Sequence, residues 1–166
     1  MADIIFEHPK RKIYRLNESE CYLEEKEPAS VLILAIDQGR LLVVEQYRMP
    51  VDAVTFELPG GGLNLNEDRT VAARRELLEE TGYTSDKLVY LGQSYSCAFM
   101  SNEVIHFYFT DRLAFVSNST DKDILNVHFV PLKKVYHNIL EGIWKNSALV
   151  HALFLAEGKG LVKKSD

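Results

Sequence analysis

The spacing of hydrophobic positions changes along the chain, and it predicts strands in the first third. Residues 31–36 (VLILAI) and 41–48 (LLVVEQYR) flank a short connection containing Gly39, which predicts a β-hairpin. The first of these runs is apolar without interruption, as is typical of a strand that is buried on both faces. Further short strands are predicted at 3–7, 11–16 and 19–25.

A glycine-rich stretch leads into the most clearly helical part of the chain. The sequence TFELPGGG at 55–62 predicts a strand that runs into a turn, since glycine permits backbone angles closed to other residues. The spacing predicts a helix over 68–81, with Asn66 or Asp68 capping its start. Gly82 follows at the position where a left-handed residue often ends a helix.

Strands and then helices are predicted in the second half. Helical spacing returns in 130–142 and 146–158, each of which ends on a glycine. The chain therefore reads as strands, one helix, more strands and C-terminal helices, which indicates an α/β fold with helices packed on a mixed sheet. Three strands are predicted in this half, at 87–96, 103–113 and 126–132.

Composition narrows the classes of protein to be considered. The chain has 166 residues, of which 46% are hydrophobic and 26% charged, which suits one domain with a sizeable core. A net charge of −5 lacks the basic footprint of a nucleic-acid-binding protein. No apolar run approaches the roughly 18 residues of a membrane span, so no membrane partner is expected. Cys21 and Cys97 show no metal or redox spacing, which favours a reducing, cytoplasmic location.

Three glutamates crowd the end of the predicted helix. At about 100° per residue, Glu76, Glu79 and Glu80 lie on one side of it. Like charges at this spacing repel each other, and the helix dipole disfavours anions near the C-terminus. The cluster is either a solvated charged face, offset by neighbouring arginines, or a site for a hard cation such as Mg²⁺, Mn²⁺ or Ca²⁺.

The spacing around these glutamates decides between the two interpretations. Five residues separate Gly61 from Glu67, and seven more lead to the run RELLEETGY at 75–83. This pattern resembles the Nudix hydrolase signature, G-x5-E-x7-R-E-U-x-E-E-x-G-U, in which U is a bulky apolar residue. Every fixed position matches, and Tyr83 is an aromatic version of the last apolar position.

The resemblance implies both a fold and a chemistry. Nudix hydrolases are α/β/α sandwiches around a mixed sheet that cleave a nucleoside diphosphate linked to another group, with Mg²⁺ or Mn²⁺ as cofactor. It implies that Glu76 and Glu80 bind the metal, that Glu79 is a third ligand or orients water, and that the carbonyl of Gly60 is a further ligand. It assigns structural roles to the other fixed positions of the box, which are Gly61, Glu67, Arg75 and Gly82.

The segments that flank the box resemble the ADP-ribose pyrophosphatase branch of the family. Gln46-Tyr47-Arg48 and Glu57-Leu58-Pro59-Gly60-Gly61 match its Q-Y/F-R and E-L-P-A-G stretches, apart from glycine in place of alanine at position 60. Arg48 and Glu57 are then expected to contact the substrate, although a salt bridge at a strand edge is the alternative. The leading substrate is ADP-ribose, with AMP and ribose 5-phosphate as products.

Two loops depart from that branch. Ala98 stands where a proline is usual, and the neighbouring Phe99 is the one loop aromatic expected to contact substrate. Lys122 replaces an expected acid, which leaves Asp123 as the candidate general base. The departures leave two alternatives open, another nucleotide sugar or a dinucleotide. A non-catalytic nucleotide sensor is disfavoured because all the box glutamates are retained.

The strand-rich segment 1–30 precedes the Nudix hydrolase domain, which is expected over 31–166. Such a segment buries little surface by itself. In the ADP-ribose branch it builds a dimer, often by exchanging strands, so the resemblance predicts a homodimer.

Overall fold

The computed structural model describes residues 2–163. Within them the predicted strands and helices occur in the predicted order. Two short strands, at Tyr83–Thr84 and Ala114–Phe115, and a 3-10 turn at Met49–Val51 were not predicted. The strands are β1 (Asp3–His8), β2 (Arg11–Arg15), β3 (Cys21–Glu25), β4 (Ala29–Asp37), β5 (Arg40–Arg48), β6 (Ala53–Glu57), β7 (Gly60–Gly62), β8 (Tyr83–Thr84), β9 (Val89–Tyr95), β10 (Val104–Thr110), β11 (Ala114–Phe115) and β12 (Ile124–Pro131). The helices are α1 (Arg69–Thr81), α2 (Leu132–Leu140) and α3 (Ser147–Gly158).

The central sheet is mixed. Its strand order is β12-β5-β4-β10-β9, with β6 paired to β5 and β7 paired to β4. Strand β10 runs parallel to β4, whereas β5 runs antiparallel to it. The predicted hairpin between β4 and β5 is confirmed, and its two turn residues have the positive φ of a tight hairpin, 48° at Gln38 and 72° at Gly39.

Strand β4 divides the hydrophobic core into two layers. Successive side chains of a strand point to opposite faces, so Val31 and Ile33 pack toward α1, while Leu34 packs toward α2 and α3. All three side chains are fully buried, which confirms the predicted burial of this strand on both faces. The result is the α/β/α sandwich that the sequence predicted.

Helix α1 begins and ends where the sequence placed its signals. The Asp68 side chain accepts hydrogen bonds from the backbone N–H groups of Thr70 and Val71, so Asp68 rather than Asn66 caps the start. Gly82 adopts a φ of 77° and donates its N–H to the Leu78 carbonyl at 2.8 Å. A side chain at Gly82 would also meet the carbonyl of Ser117, since an added Cβ would lie 1.8 Å from that oxygen.

The glycine-rich stretch differs from the sequence prediction. Instead of forming only a turn, Gly60–Gly62 forms strand β7, which pairs antiparallel with β4. The pairing places Gly61 opposite Val31 and Gly60 opposite Leu32. An added Cβ at Gly60 would lie 2.0 Å from the Val31 carbonyl oxygen, so the close approach requires glycine there.

Strands β1, β2 and β3 form a separate antiparallel sheet, which confirms the three strands predicted in the N-terminal segment. This sheet leaves Ile4, Ile5 and Phe6 about half exposed (49%, 47% and 50%).

Among residues 2–163, no helix has the length and apolarity needed to cross a membrane.

Candidate active site

Strand β7 brings the start of the box against helix α1. An added Cβ at Gly61 would lie 2.8 Å from both carboxylate oxygens of Glu76, so the backbone of β7 lies directly on this side chain. Gly62 contributes a carbonyl that accepts a hydrogen bond from Arg75 at 3.2 Å. The glycines therefore let the sheet edge and the acidic face of α1 approach without intervening side chains.

Arg75 is the centre of the ion pairs in the box. Its Nε and Nη2 atoms each donate to one oxygen of Glu67 at 2.8 Å, which is the two-pronged geometry favoured by guanidinium and carboxylate. Its Nη1 atom donates to Glu76 at 2.7 Å and to Glu79 at 3.1 Å. Arg75 thus connects the loop before the helix with the acidic face, and the structural role assigned to Glu67 and Arg75 stays a prediction.

Glu67 is held firmly in its charged form. Hydrogen bonds from Arg75, together with one from the backbone N–H of Asn64 at 2.9 Å, lower the pKa of Glu67 to about 2. With these partners, the charged Glu67 carboxylate joins the loop at Asn64 to Arg75 on helix α1.

Glu80 is the most buried acid of the box, with only 6% of its surface exposed. Burial, reinforced by the negative charges of Glu76 and Asp121, raises the pKa of Glu80 to about 8. One carboxylate oxygen accepts the Gly60 N–H at 2.8 Å, and the other lies 3.4 Å from the Gln46 amide nitrogen. A nearby cation would favour the charged form of this buried acid.

Glu76 and Glu79 have different environments. Burial is the main cause that raises the pKa of Glu76, and the charge of Glu79 adds to it. The Glu79 side chain is about half exposed and forms an ion pair with Arg75. Within the described residues, no three acidic, histidine or cysteine side chains lie close enough together to hold one ion. The structure therefore places Glu76 and Glu80 on the same face but does not gather all three glutamates around a point.

The donor set nevertheless fits a hard cation. Glu80 is a buried carboxylate and Glu76 is a partly buried one. Near Glu80, the side-chain oxygen Oε1 of Gln46 is buried and has no hydrogen-bond partner among the described residues, so it is free to bond a water of such a site. The backbone of Gly60 lies beside Glu80 through their hydrogen bond. Oxygen donors of this kind suit Mg²⁺ or Mn²⁺. A divalent cation there would polarise a diphosphate and make a bound water more acidic.

The two residues predicted to contact substrate form a pair with each other. Arg48 and Glu57 make two hydrogen bonds, at 2.9 and 2.8 Å, across strands β5 and β6. Burial alone would raise the pKa of Glu57, but hydrogen bonds from Arg48 and Thr55 outweigh it and lower the pKa. The salt bridge considered as the alternative is present, and substrate contact by these residues stays a prediction.

The loop before β12 is fixed to the end of α1. The Glu79 carbonyl accepts hydrogen bonds from Thr120 N at 2.9 Å, Asp121 N at 3.2 Å and Ser119 Oγ at 3.0 Å. The Asp121 side chain accepts the Asp123 N–H at 2.8 Å. This loop thus holds two carboxylates at the edge of the site.

The two aspartates act on different neighbours. The charge of Asp121 contributes to the raised pKa of Glu80, whereas that of Asp123 contributes to the raised pKa of Arg48. The assignment of Asp123 as the general base stays a prediction, and Asp121 is a second carboxylate in the same loop. Asp121 and Asp123 both belong to the run TDKD at 120–123, and the sequence pattern does not predict which of them lies nearer to α1.

Phe99 lies outside the contacts described above. Its ring is 81% exposed, and its loop is held against β3 by a hydrogen bond from Leu23 N to the Met100 carbonyl at 2.7 Å. The part it plays in substrate binding stays a prediction.

Known proteins share both the sequence pattern and the fold. The family model described as NUDIX domain matches residues 26–153. An ADP-ribose pyrophosphatase from Bacillus subtilis is 33% identical over 99 residues, which cover 59% of this chain and 54% of that protein. The chain therefore aligns with about half the length of that relative.

Two further matches cover more of the chain. A GDP-mannose pyrophosphatase from Yersinia enterocolitica is 28% identical over 145 residues, covering 81% of this chain and 75% of that protein. The crystal structure of an ADP compounds hydrolase superposes with a TM-score of 0.77 at 19% identity, covering 98% of this chain and 95% of the other. The second match concerns the fold alone. Since the family model spans most of the chain and the box is complete, the protein belongs to the NUDIX domain family.

Proposed function

We propose that this protein is a Mg²⁺- or Mn²⁺-dependent pyrophosphohydrolase that cleaves the diphosphate of a nucleoside diphosphate sugar. ADP-ribose is the leading substrate, and water would convert it to AMP and ribose 5-phosphate. The observation that carries the proposal is the buried Glu80 carboxylate, fixed by Gly60 beside Glu76 within a complete box. A buried acid with a strongly raised pKa in a cleft is a frequent mark of a functional site.

The roles of the residues are carried over from the family resemblance. Glu76 and Glu80 would hold the cation, with Glu79 as a third ligand or as a group that orients water. Arg75 and Glu67 keep the loop and helix together. A cation held there would offset charge on the diphosphate. Water would attack one phosphorus, and the bond from that phosphorus to the bridging oxygen would break as the other phosphate leaves.

A carboxylate must accept the proton of the attacking water. Asp121 and Asp123 are the two candidates, because the loop that carries them is bonded to the end of α1. Arg48, paired with Glu57, is a cation at the same edge of the sheet, and it would contact the substrate.

The relatives support a nucleoside diphosphate sugar as the substrate, and they leave open whether it is ADP-ribose or a different nucleotide. One is named for ADP-ribose and another for GDP-mannose. The loop departures at Ala98 and Lys122 favour the alternative, in which a different sugar or a dinucleotide is cleaved.

The test is a panel of nucleotides that includes ADP-ribose, GDP-mannose and a dinucleotide, each incubated with Mg²⁺ and with a chelator. We expect AMP and ribose 5-phosphate from ADP-ribose only when the cation is present. Glu80→Gln should lose turnover by at least about 100-fold with its circular dichroism unchanged, since even residues that merely support metal ligands cost 10–100-fold. Glu141→Gln, an exposed glutamate beyond α2, is the matched control. Near-normal activity of the Glu80 variant would overturn the proposal.

A homodimer built through the N-terminal sheet is part of the proposal. It is supported by the apolar side chains that β1 leaves exposed.

A further inference from the structure

Gln46 occupies a position where the fold would accept an apolar residue. It lies on β5, four residues beyond Leu42, which packs in the layer beneath α1, so the two side chains share a face of the strand. Its neighbours in the sheet are Thr55 on β6 and Ile124 on β12. Only 5% of Gln46 is exposed.

The buried amide is incompletely bonded. Its nitrogen lies 3.4 Å from Glu80 Oε1, which is long for a hydrogen bond, and its Oε1 has no partner among the described residues. An unpaired buried polar atom costs about 1–3 kcal/mol. An apolar side chain would avoid this cost, so a buried amide at this position points to a bound group that contacts both Gln46 and Glu80.

We infer that Gln46 is a positioning residue for Glu80, and that its free Oε1 accepts a hydrogen bond from a water molecule of the cation site. The Gly60 N–H bonds one oxygen of Glu80 at 2.8 Å, and the Gln46 amide lies against the other at 3.4 Å, a contact that would shorten when the site is filled. A carboxylate has about four lone-pair sites, two on each oxygen. Gln46 and Gly60 each occupy one of these sites on Glu80, and the other two remain available to the cation. This inference rests on the proposed function, because it assigns a residue to that site.

The test compares Gln46→Leu and Gln46→Met with wild type. Mn²⁺ affinity is measured without substrate by calorimetry or by the paramagnetic signal of free Mn²⁺, and kcat and KM are measured with the best nucleotide. We expect Mn²⁺ to bind about 10–100-fold more weakly to both variants. We also expect a lower kcat with little change in KM, and a melting temperature no lower than that of wild type. Gln93→Leu, which removes an exposed glutamine from β9, is the matched control.

Each outcome bears on one of the two proposals. If Gln46→Leu does not fold, the test uses Gln46→Met, because the unbranched methionine side chain is closer in shape to glutamine. Unchanged Mn²⁺ affinity and kcat in a folded variant would overturn the positioning role, even if the melting temperature changed. If wild type binds Mn²⁺ but cleaves no nucleotide, the proposed function fails while the effect of Gln46 on Mn²⁺ affinity still decides the inference. A wild type that binds no Mn²⁺ overturns both.

Discussion

The backbone of Gly61 lies directly against the carboxylate of Glu76, although the two residues belong to different elements. A Cβ on Gly61 would approach both carboxylate oxygens to 2.8 Å. The obstacle it would meet is the end of a flexible side chain, which can turn away. A methyl group at this position is therefore expected to disturb the chemistry more than the fold.

The three glycines of β7 allow this expectation to be tested as a series. Gly61→Ala should keep its stability within about 1 kcal/mol but lose at least about tenfold in metal affinity or kcat, because Glu76 is displaced. Gly60→Ala should instead destabilise the fold by about 2–4 kcal/mol, since its Cβ would meet the backbone carbonyl of Val31. Melting curves and Mn²⁺ titration separate the two effects.

Gly62→Ala is the control for this series. An added Cβ at Gly62 has no heavy atom within 4 Å, so both stability and activity should remain close to wild type. A Gly61→Ala variant with normal Mn²⁺ affinity would contradict the argument.

The ion pair of Glu67 and Arg75 should make the free energy of unfolding depend on pH in the acidic range. The folded protein lowers the pKa of Glu67 from 4.5 to about 2, so the unfolded chain binds a proton more readily. The stabilisation is therefore present above the ordinary pKa and is lost as pH falls from 4.5 through about 2. Glu67→Gln removes the charge and should lower the free energy of unfolding by on the order of 2 kcal/mol near neutral pH.

The measurement is the free energy of unfolding of wild type and Glu67→Gln across this pH range. The gap between the two proteins should be full at neutral pH and shrink as the solution becomes acidic. Glu103→Gln, whose carboxylate makes no ion pair in the described chain, should show no such trend. A gap that stays constant with pH would show that the charge of Glu67 does not contribute as argued.

The parts of the site that the sequence predicted are those fixed by local spacing. The cap at Asp68, the end at Gly82 and the acidic face of α1 all follow from residues within one helix and its borders. The pairing of Glu67 with Arg75 spans only eight positions and needed the family resemblance to be recognised.

The parts that the sequence did not predict depend on long-range pairing. Strand β7 has no side chains to give a periodic signal, and its partner β4 is decided by the tertiary fold. Gln46 lies 34 residues from Glu80, and the layer beneath α1 brings them together. Asp121 is positioned by the carbonyl of Glu79, a backbone group that no side-chain pattern records.

The exposed apolar residues of β1 predict self-association. At tens of micromolar, wild type should sediment as a dimer, and Phe6→Asp should shift it toward monomer, because a charge would be buried at the contact. Phe154→Asp is the matched control, since Phe154 on α3 is also an exposed aromatic. A wild-type protein that sediments as a monomer at this concentration would overturn the proposed dimer.

The two aspartates of the loop before β12 should have separable effects on catalysis. Asp121 acts on Glu80 at the proposed cation site, so Asp121→Asn should lower kcat by about 10²–10⁴-fold, the range expected for loss of a general base. Arg48 is held mainly by its hydrogen bonds to Glu57, and Asp123 adds only a smaller negative charge, so Asp123→Asn should leave kcat near the wild-type value and raise KM slightly. Steady-state kinetics distinguish them, because loss of the base lowers kcat, whereas loss of a charge near Arg48 changes KM. Asp111→Asn, in the exposed turn after β10, is the control. If the loss of kcat follows Asp123 instead, the base is Asp123, and Asp121 serves only to hold the loop through the Asp123 N–H.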